Sequence, residues 1–166
     1  TGTGSSGKND RHIIKNVGIK LPRAAEAYDD YAPDQQQGVS SVIFYPLEND
    51  IGYEGNVRRV QTGSREHLLP ETFRFLDDDG KRLPNDYSHT KIGVGTWIYD
   101  PLTAKVTFTP VPGYYGDASV KYNIKAGKTT ELPYKDEAYR SLPATIGVTI
   151  IRNQVATRNI VSNRNV

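Results

Sequence analysis

Apolar residues in this chain recur at every second position in short runs, and each run stops at proline, glycine or an aspartate-rich turn. That spacing puts successive side chains on opposite faces of an extended strand. No stretch carries the apolar stripe of an amphipathic helix. Val39–Tyr45 (VSSVIFY) is β-branched and aromatic, and Pro46 closes it. Phe73-Arg74-Phe75 alternates and ends at Asp77-Asp78-Asp79-Gly80, a turn by composition. Thr96–Tyr99 stops at Asp100-Pro101 and Lys105–Thr109 follows, which reads as a hairpin with Trp97 and Phe108 as core markers. Val120, Tyr122 and Ile124 alternate with Lys121, Asn123 and Lys125, the pattern of a strand wet on one side, with Tyr122 a third core marker. Ile146, Val148 and Ile150 form a last strand. Strands at such spacing with Pro/Gly punctuation predict an all-β fold, an antiparallel β-sandwich, with surface loops at Gly52–His67 and Thr129–Leu142.

Charge divides the chain in three. Residues 1–23 carry five bases against one acid, and residues 138–166 four bases and no acid, whereas the body between them holds 12 bases and 18 acids. The expected organisation is a flexible leader and N-terminal arm over 1–23, a sandwich over 24–152 and a C-terminal tail over 153–166. The leader opens with Gly/Ser/Thr-rich sequence, and Val17, Ile19 and Leu21 then alternate with Asn16, Gly18 and Lys20, a strand signature in the arm itself. Basic ends on an acidic body suit contact between copies, and equally suit two solvated tails. The chain has neither cysteine nor methionine. The first excludes disulfides and thiolate chemistry; the second favours a processed chain and hence export. No segment is long and apolar enough to insert in a membrane.

Residues with chemistry to offer are scattered. Gly2–Gly7 formally fits G-x-G-x-x-G but lacks the preceding strand and following helix of a dinucleotide site. His12, His67 and His89 are far apart and lack partners at metal spacing. No serine sits in a nucleophile elbow, so no catalytic residue is expected and the chain reads as no enzyme. The basic arms hold no aromatic residue to stack on bases, which argues against nucleic acid. Asp29, Asp30, Asp50, Asp77, Asp78 and Asp79 offer hard oxygen ligands, so Ca²⁺ is the one cofactor to consider, although the EF-hand order is missing and turns favour aspartate anyway. A Lys–Asn crosslink is a further possibility, with Lys105 a better donor than Lys121, which shares a strand face with Asn123. Tyr114, Tyr115, Tyr134 and Tyr139 are the aromatics available to a carbohydrate.

Three segments carry a family likeness. Ala27-Tyr28-Asp29-Asp30-Tyr31 followed by Ser41–Asp50 (SVIFYPLEND), then Leu69–Leu76 (LPETFRFL), and above all Gly95–Asp117 (GTWIYDPLTAKVTFTPVPGYYGD) resemble the CshA-type fibril repeat. They are also similar to Ig-like and cadherin-like modules of bacterial fibrillar surface adhesins. The chain departs from the repeat in having Ala104 where a glycine is usual, and in its N-terminal extension and tail. The resemblance implies an Ig-like sandwich at the cell surface, mechanical or adhesive work, and no catalytic residues. A strand-like arm beside such a unit suggests β-strand addition between copies, in a pilus-like filament, or to neighbouring surface-protein domains. Val17, Ile19 and Leu21 are the candidate assembly residues, with Ile160 and Val161 a second choice. The alternatives are an arm that pairs with its own domain, a monomeric adhesin spacer, and a module binding a host protein or carbohydrate.

Overall fold

A computed structural model describes residues 23–53, 65–127 and 137–155. Among these residues, nine strands form two sheets: β1 Asp30–Tyr31, β2 Gln35–Gln36, β3 Val42–Phe44, β4 Leu68–Leu76, β5 Ser88–Lys91, β6 Gly95–Asp100, β7 Lys105–Pro110, β8 Gly116–Ala126 and β9 Ala144–Ile151. One sheet runs β1-β9-β8-β4, with β2 sharing the β1 edge of β9; the other runs β3-β7-β6-β5. All pairings are antiparallel except those of β1 and β2, which run parallel to β9. The molecule is an all-β sandwich.

The core follows from the alternation. Val42, Phe44, Trp97, Tyr99, Val106 and Phe108 face inward from the second sheet, and Phe73, Phe75, Val120, Tyr122, Ile146 and Ile150 are buried in the first. Trp97 and Phe108 are cross-strand partners with ring centroids 4.3 Å apart. Phe73 stacks on Tyr99 across the sheets at 3.8 Å and on Tyr122 at 5.1 Å, so one phenylalanine ties both layers together. Gly95 is required here, because a β-carbon would collide with the Thr109 carbonyl and the Phe108 ring.

The β6–β7 hairpin turns as its sequence requires. Asp100 accepts from the Leu102 amide at 3.0 Å and the Thr103 hydroxyl at 2.6 Å, and these bonds hold its carboxyl below the ordinary value. Ala104 stands at φ 53°, the one non-glycine residue in the left-handed region among those described. That conformation costs an L-residue roughly 1–2 kcal/mol.

Several expectations need correction. The run at Val39–Tyr45 pairs only over Val42–Phe44. β5 carries no strand signature in its sequence, SHTK, and forms because β6 offers it an edge. β4 is nine residues long, far beyond Phe73–Phe75, and contains Pro70. Between Leu69 and Arg74 its register with β8 shifts, and side chains do the work of the lost ladder. The Thr72 hydroxyl accepts from the Lys125 amide and donates to the Leu69 carbonyl; Tyr99, Tyr87 and Arg140 donate to the carbonyls of Pro70, Glu71 and Thr72. β8 is wet on one side only as far as Lys121, since Asn123 and Lys125 are buried.

Candidate docking edge and two buried charge clusters

The sandwich is open along the side where β1 and β2 end one sheet and β3 ends the other. Val42 and Phe44 point into the core, so Ile43 and Tyr45 must point out, and they are 51% and 47% exposed. Tyr31 projects from β1 opposite Gly147 of β9, and a β-carbon on Gly147 would stand 2.8 Å from the tyrosine ring. The glycine therefore lets the ring lie across the strand, where it stays 68% exposed. Between these edges runs a groove of about 430 Å³ lined by Asp30, Tyr31, Pro33, Ile43, Tyr45 and Glu48 among others, with no base among the described residues of its wall.

Beneath the groove lies a cluster of oxygens. The Tyr122 hydroxyl is 2.9 Å and 3.1 Å from the two carboxylate oxygens of Asp50, and 3.3 Å from Asp30 Oδ2. The carbonyls of Tyr28 and Pro46 stand at 3.2 Å and 3.3 Å. One phenolic proton cannot serve five acceptors. Asp50 also accepts from the Tyr28 amide and Asp30 from Asn49 Nδ2, yet burial outweighs these bonds. It raises Asp50 to about 7, with help from Asp30. It raises Asp30 to about 6, with help from Asp29 and Glu48. The same burial and both carboxylates push the Tyr122 phenol up. Two described bases have partners elsewhere: Arg23 pairs with Glu26 and lies over the Tyr53 ring, and Arg65 pairs with Glu48. Protonation of Asp50, the more strongly raised of the two, would let it donate to Tyr122, which donates to Asp30, so a held proton completes the network.

The outer face of β8 carries the opposite arrangement. Glu137 accepts from Arg74 at 2.7 Å, Lys125 at 3.0 Å and Arg140 at 3.0 Å. Asn123 Oδ1 accepts from Arg74 and Arg140 as well. Burial opposes ionisation of Glu137, but the Lys125 ammonium and the two guanidiniums prevail and hold its carboxyl at about 2.

The sequence candidates fall in different places. Asp30 and Asp50, from the two halves of the first of the three likeness segments, meet at Tyr122, and Asn49 bonds to Asp30. Asp29 instead accepts from the Thr145 amide. Asp77 caps its own turn through the amides of Asp79 and Lys81, and Asp78 pairs with Lys91. Among the described residues, no three His, Cys, Asp or Glu side chains gather where they could hold a metal ion. Lys121 donates to the Asp78 carbonyl, and Lys105 faces Asp100 across the hairpin. His89 stacks on Trp97 at 6.1 Å, and burial followed by Lys91 lowers its pKa. Of the carbohydrate candidates, Tyr139 is buried, Tyr114 donates to the Asp117 carbonyl, and Tyr115 lies beneath Arg152. Tyr134, His12 and the assembly residues Val17, Ile19, Leu21, Ile160 and Val161 lie outside the described residues.

Sequence reading missed Tyr31, Ile43 and Tyr45. Two signals were present: large apolar residues at the out-facing positions of VIFY, and a glycine inside the β-branched run at Thr145–Ile150, which marks close approach. No protein-family model matches the chain, and a search of curated proteins returns no relative.

Proposed function

We propose that the chain is an extracellular structural module of a microbial cell-surface fibre, and that copies join end to end by β-strand addition. The observation that carries this reading is the state of the sheet edges. Apart from their pairings within the two sheets, β1 and β3 leave their outer edges without a backbone partner among the described residues, whereas the Gln36 carbonyl of β2 accepts from the Val39 amide. Unpaired edges are templates for a further strand, and proteins with no use for them usually cover them. β4 shows such covering, since Leu83 and Asp86 bond to Phe75, and Arg82 bridges Leu76. The basic, alternating segment at residues 8–21 supplies the complementary piece for an acidic body. The role needs no catalytic group, and no described helix is long and apolar enough to cross a membrane.

The test is electron microscopy and sizing chromatography on the full chain and on a chain starting at Pro22. Filaments or an oligomer ladder from the full chain alone support the reading. Two equally stable monomers contradict it and leave the adhesin-spacer alternative; unfolding of the shortened monomer makes the arm an edge strand of its own domain.

A second reading, a glycan-binding module, draws on Tyr31. Its exposed ring borders a trough on the outer face of the first sheet lined by Asp34, Asp117, Ser119, Thr145 and Thr149. A glycan array with the Tyr31→Ala chain as control tests it; no Tyr31-dependent signal removes it.

A further inference from the structure

Not every open edge is suited to a donated strand. β1 and β2 are two residues each and interrupted by Pro33, which has no amide to offer. β5 borders a groove walled by both signs of charge, Asp77 and Asp78 facing His89 and Lys91, with Asp78 already paired to Lys91. β3 differs in its ladder and in the single sign of charge in its groove wall, although Glu48 there also has a partner, Arg65 at 3.8 Å. The three residues of β3 form an unbroken ladder with β7, and its other side opens on the groove whose charged wall residues, Asp30 and Glu48, are both acidic. Tyr31, Ile43 and Tyr45 give that groove exposed apolar surface.

Resting on the strand-addition reading, we propose that the groove along β3 receives residues 13–21 of a second copy. This segment is apolar at Ile13, Ile14, Val17, Ile19 and Leu21 and basic at Lys15 and Lys20, and it holds no acid. Its charge complements the groove, and its alternation presents one apolar side to Tyr31 while the other side follows the outward face of Ile43. A second copy is the proposed occupant because Arg23 and Ala25, at the start of the described residues, stand outside the groove wall. The Ala25 amide bonds to the Tyr139 carbonyl and Arg23 lies over Tyr53 and pairs with Glu26, and none of these residues lines the groove.

The absence of cysteine allows a direct test in the full chain. Chains carrying Ile43→Cys are mixed under mild oxidation with chains carrying Asn16→Cys, Gly18→Cys or Lys20→Cys, the three positions expected on the Ile43 side. Chains carrying Ile92→Cys, next to the β5 edge, replace the Ile43→Cys partner as control. The expected result is an intermolecular disulfide between Ile43→Cys and at least one arm position, as the dominant product and well above the control. If filaments form but the arm links to the Ile92 position instead, the groove assignment is overturned while strand addition stands. If a chain carrying both changes closes only on itself at every dilution, the second copy is overturned in favour of the chain's own arm. If no linkage and no oligomer form, the groove assignment and the strand-addition reading fall together.

Discussion

Strand β8 separates two opposite ways of burying charge. On its inner face, Tyr122 meets Asp30 and Asp50, with no ion pair to either carboxylate among the described residues. On its outer face, Asn123 and Lys125 join Arg74 and Arg140 around the single carboxylate of Glu137. The residues alternate along one strand, so neighbouring positions of sequence live in opposite electrostatic surroundings. The lesson is that a carboxylate packed against this strand is satisfied either by a proton or by a cation, and the two choices respond to pH with opposite sign.

Removing Arg140 should break the outer cluster most severely. Its guanidinium serves the Thr72 carbonyl, Asn123 and Glu137 together, and leaving these groups without it costs about 3 kcal/mol. Urea unfolding of Arg140→Ala at pH 7 checks this; a loss below about 1 kcal/mol would mean that the cluster is a surface arrangement only.

The inner cluster is sharpened by pH. Asp50 and Asp30 are raised above their unfolded values, so the folded state holds protons more tightly than the unfolded chain. Their stabilisation is full below the unfolded carboxylate pKa of 3.8 and is lost as pH rises through about 6 and then about 7. Stability should therefore fall between about pH 4 and about pH 7, by on the order of a few kcal/mol. Asp50→Asn should flatten that fall while leaving the chain folded at pH 8. An unchanged slope in denaturation midpoints across this range contradicts the held proton.

Glu137 works the other way. Its folded pKa is lowered, so its contribution is present above the unfolded value of 4.5 and is lost as pH falls toward about 2. Because its side chain is 61% exposed, Glu137→Gln should cost only about 1 kcal/mol at pH 7 and nothing measurable at pH 2. Thermal melts at the two pH values distinguish this from a loss of packing, which would persist at both.

Sequence revealed the sandwich better than the clusters. Alternation at Thr96–Tyr99, Lys105–Thr109 and Ile146–Ile150 is a local property, set by which face each side chain must bury, and the strands form there. The same rule placed Asn123 and Lys125 in water, because it cannot see that Glu137 and Arg140 return over that face. Asp30 and Asp50 were visible as acids but not as partners of Tyr122, whose sequence separations of 92 and 72 residues only the fold closes. β1 and β2 gave no signal: each is two residues long and is defined by the edge of β9. The groove at β3 was half legible, in Ile43 and Tyr45 pointing away from a core their neighbours fill.

Hydrogen exchange at Val42, Ile43 and Phe44 tests the assembly account most directly. In the full chain at increasing concentration, the amides on the outer edge of β3 should become protected, and in a chain starting at Pro22 they should exchange quickly at every concentration. Equal, concentration-independent exchange in the two chains would contradict strand addition at this edge.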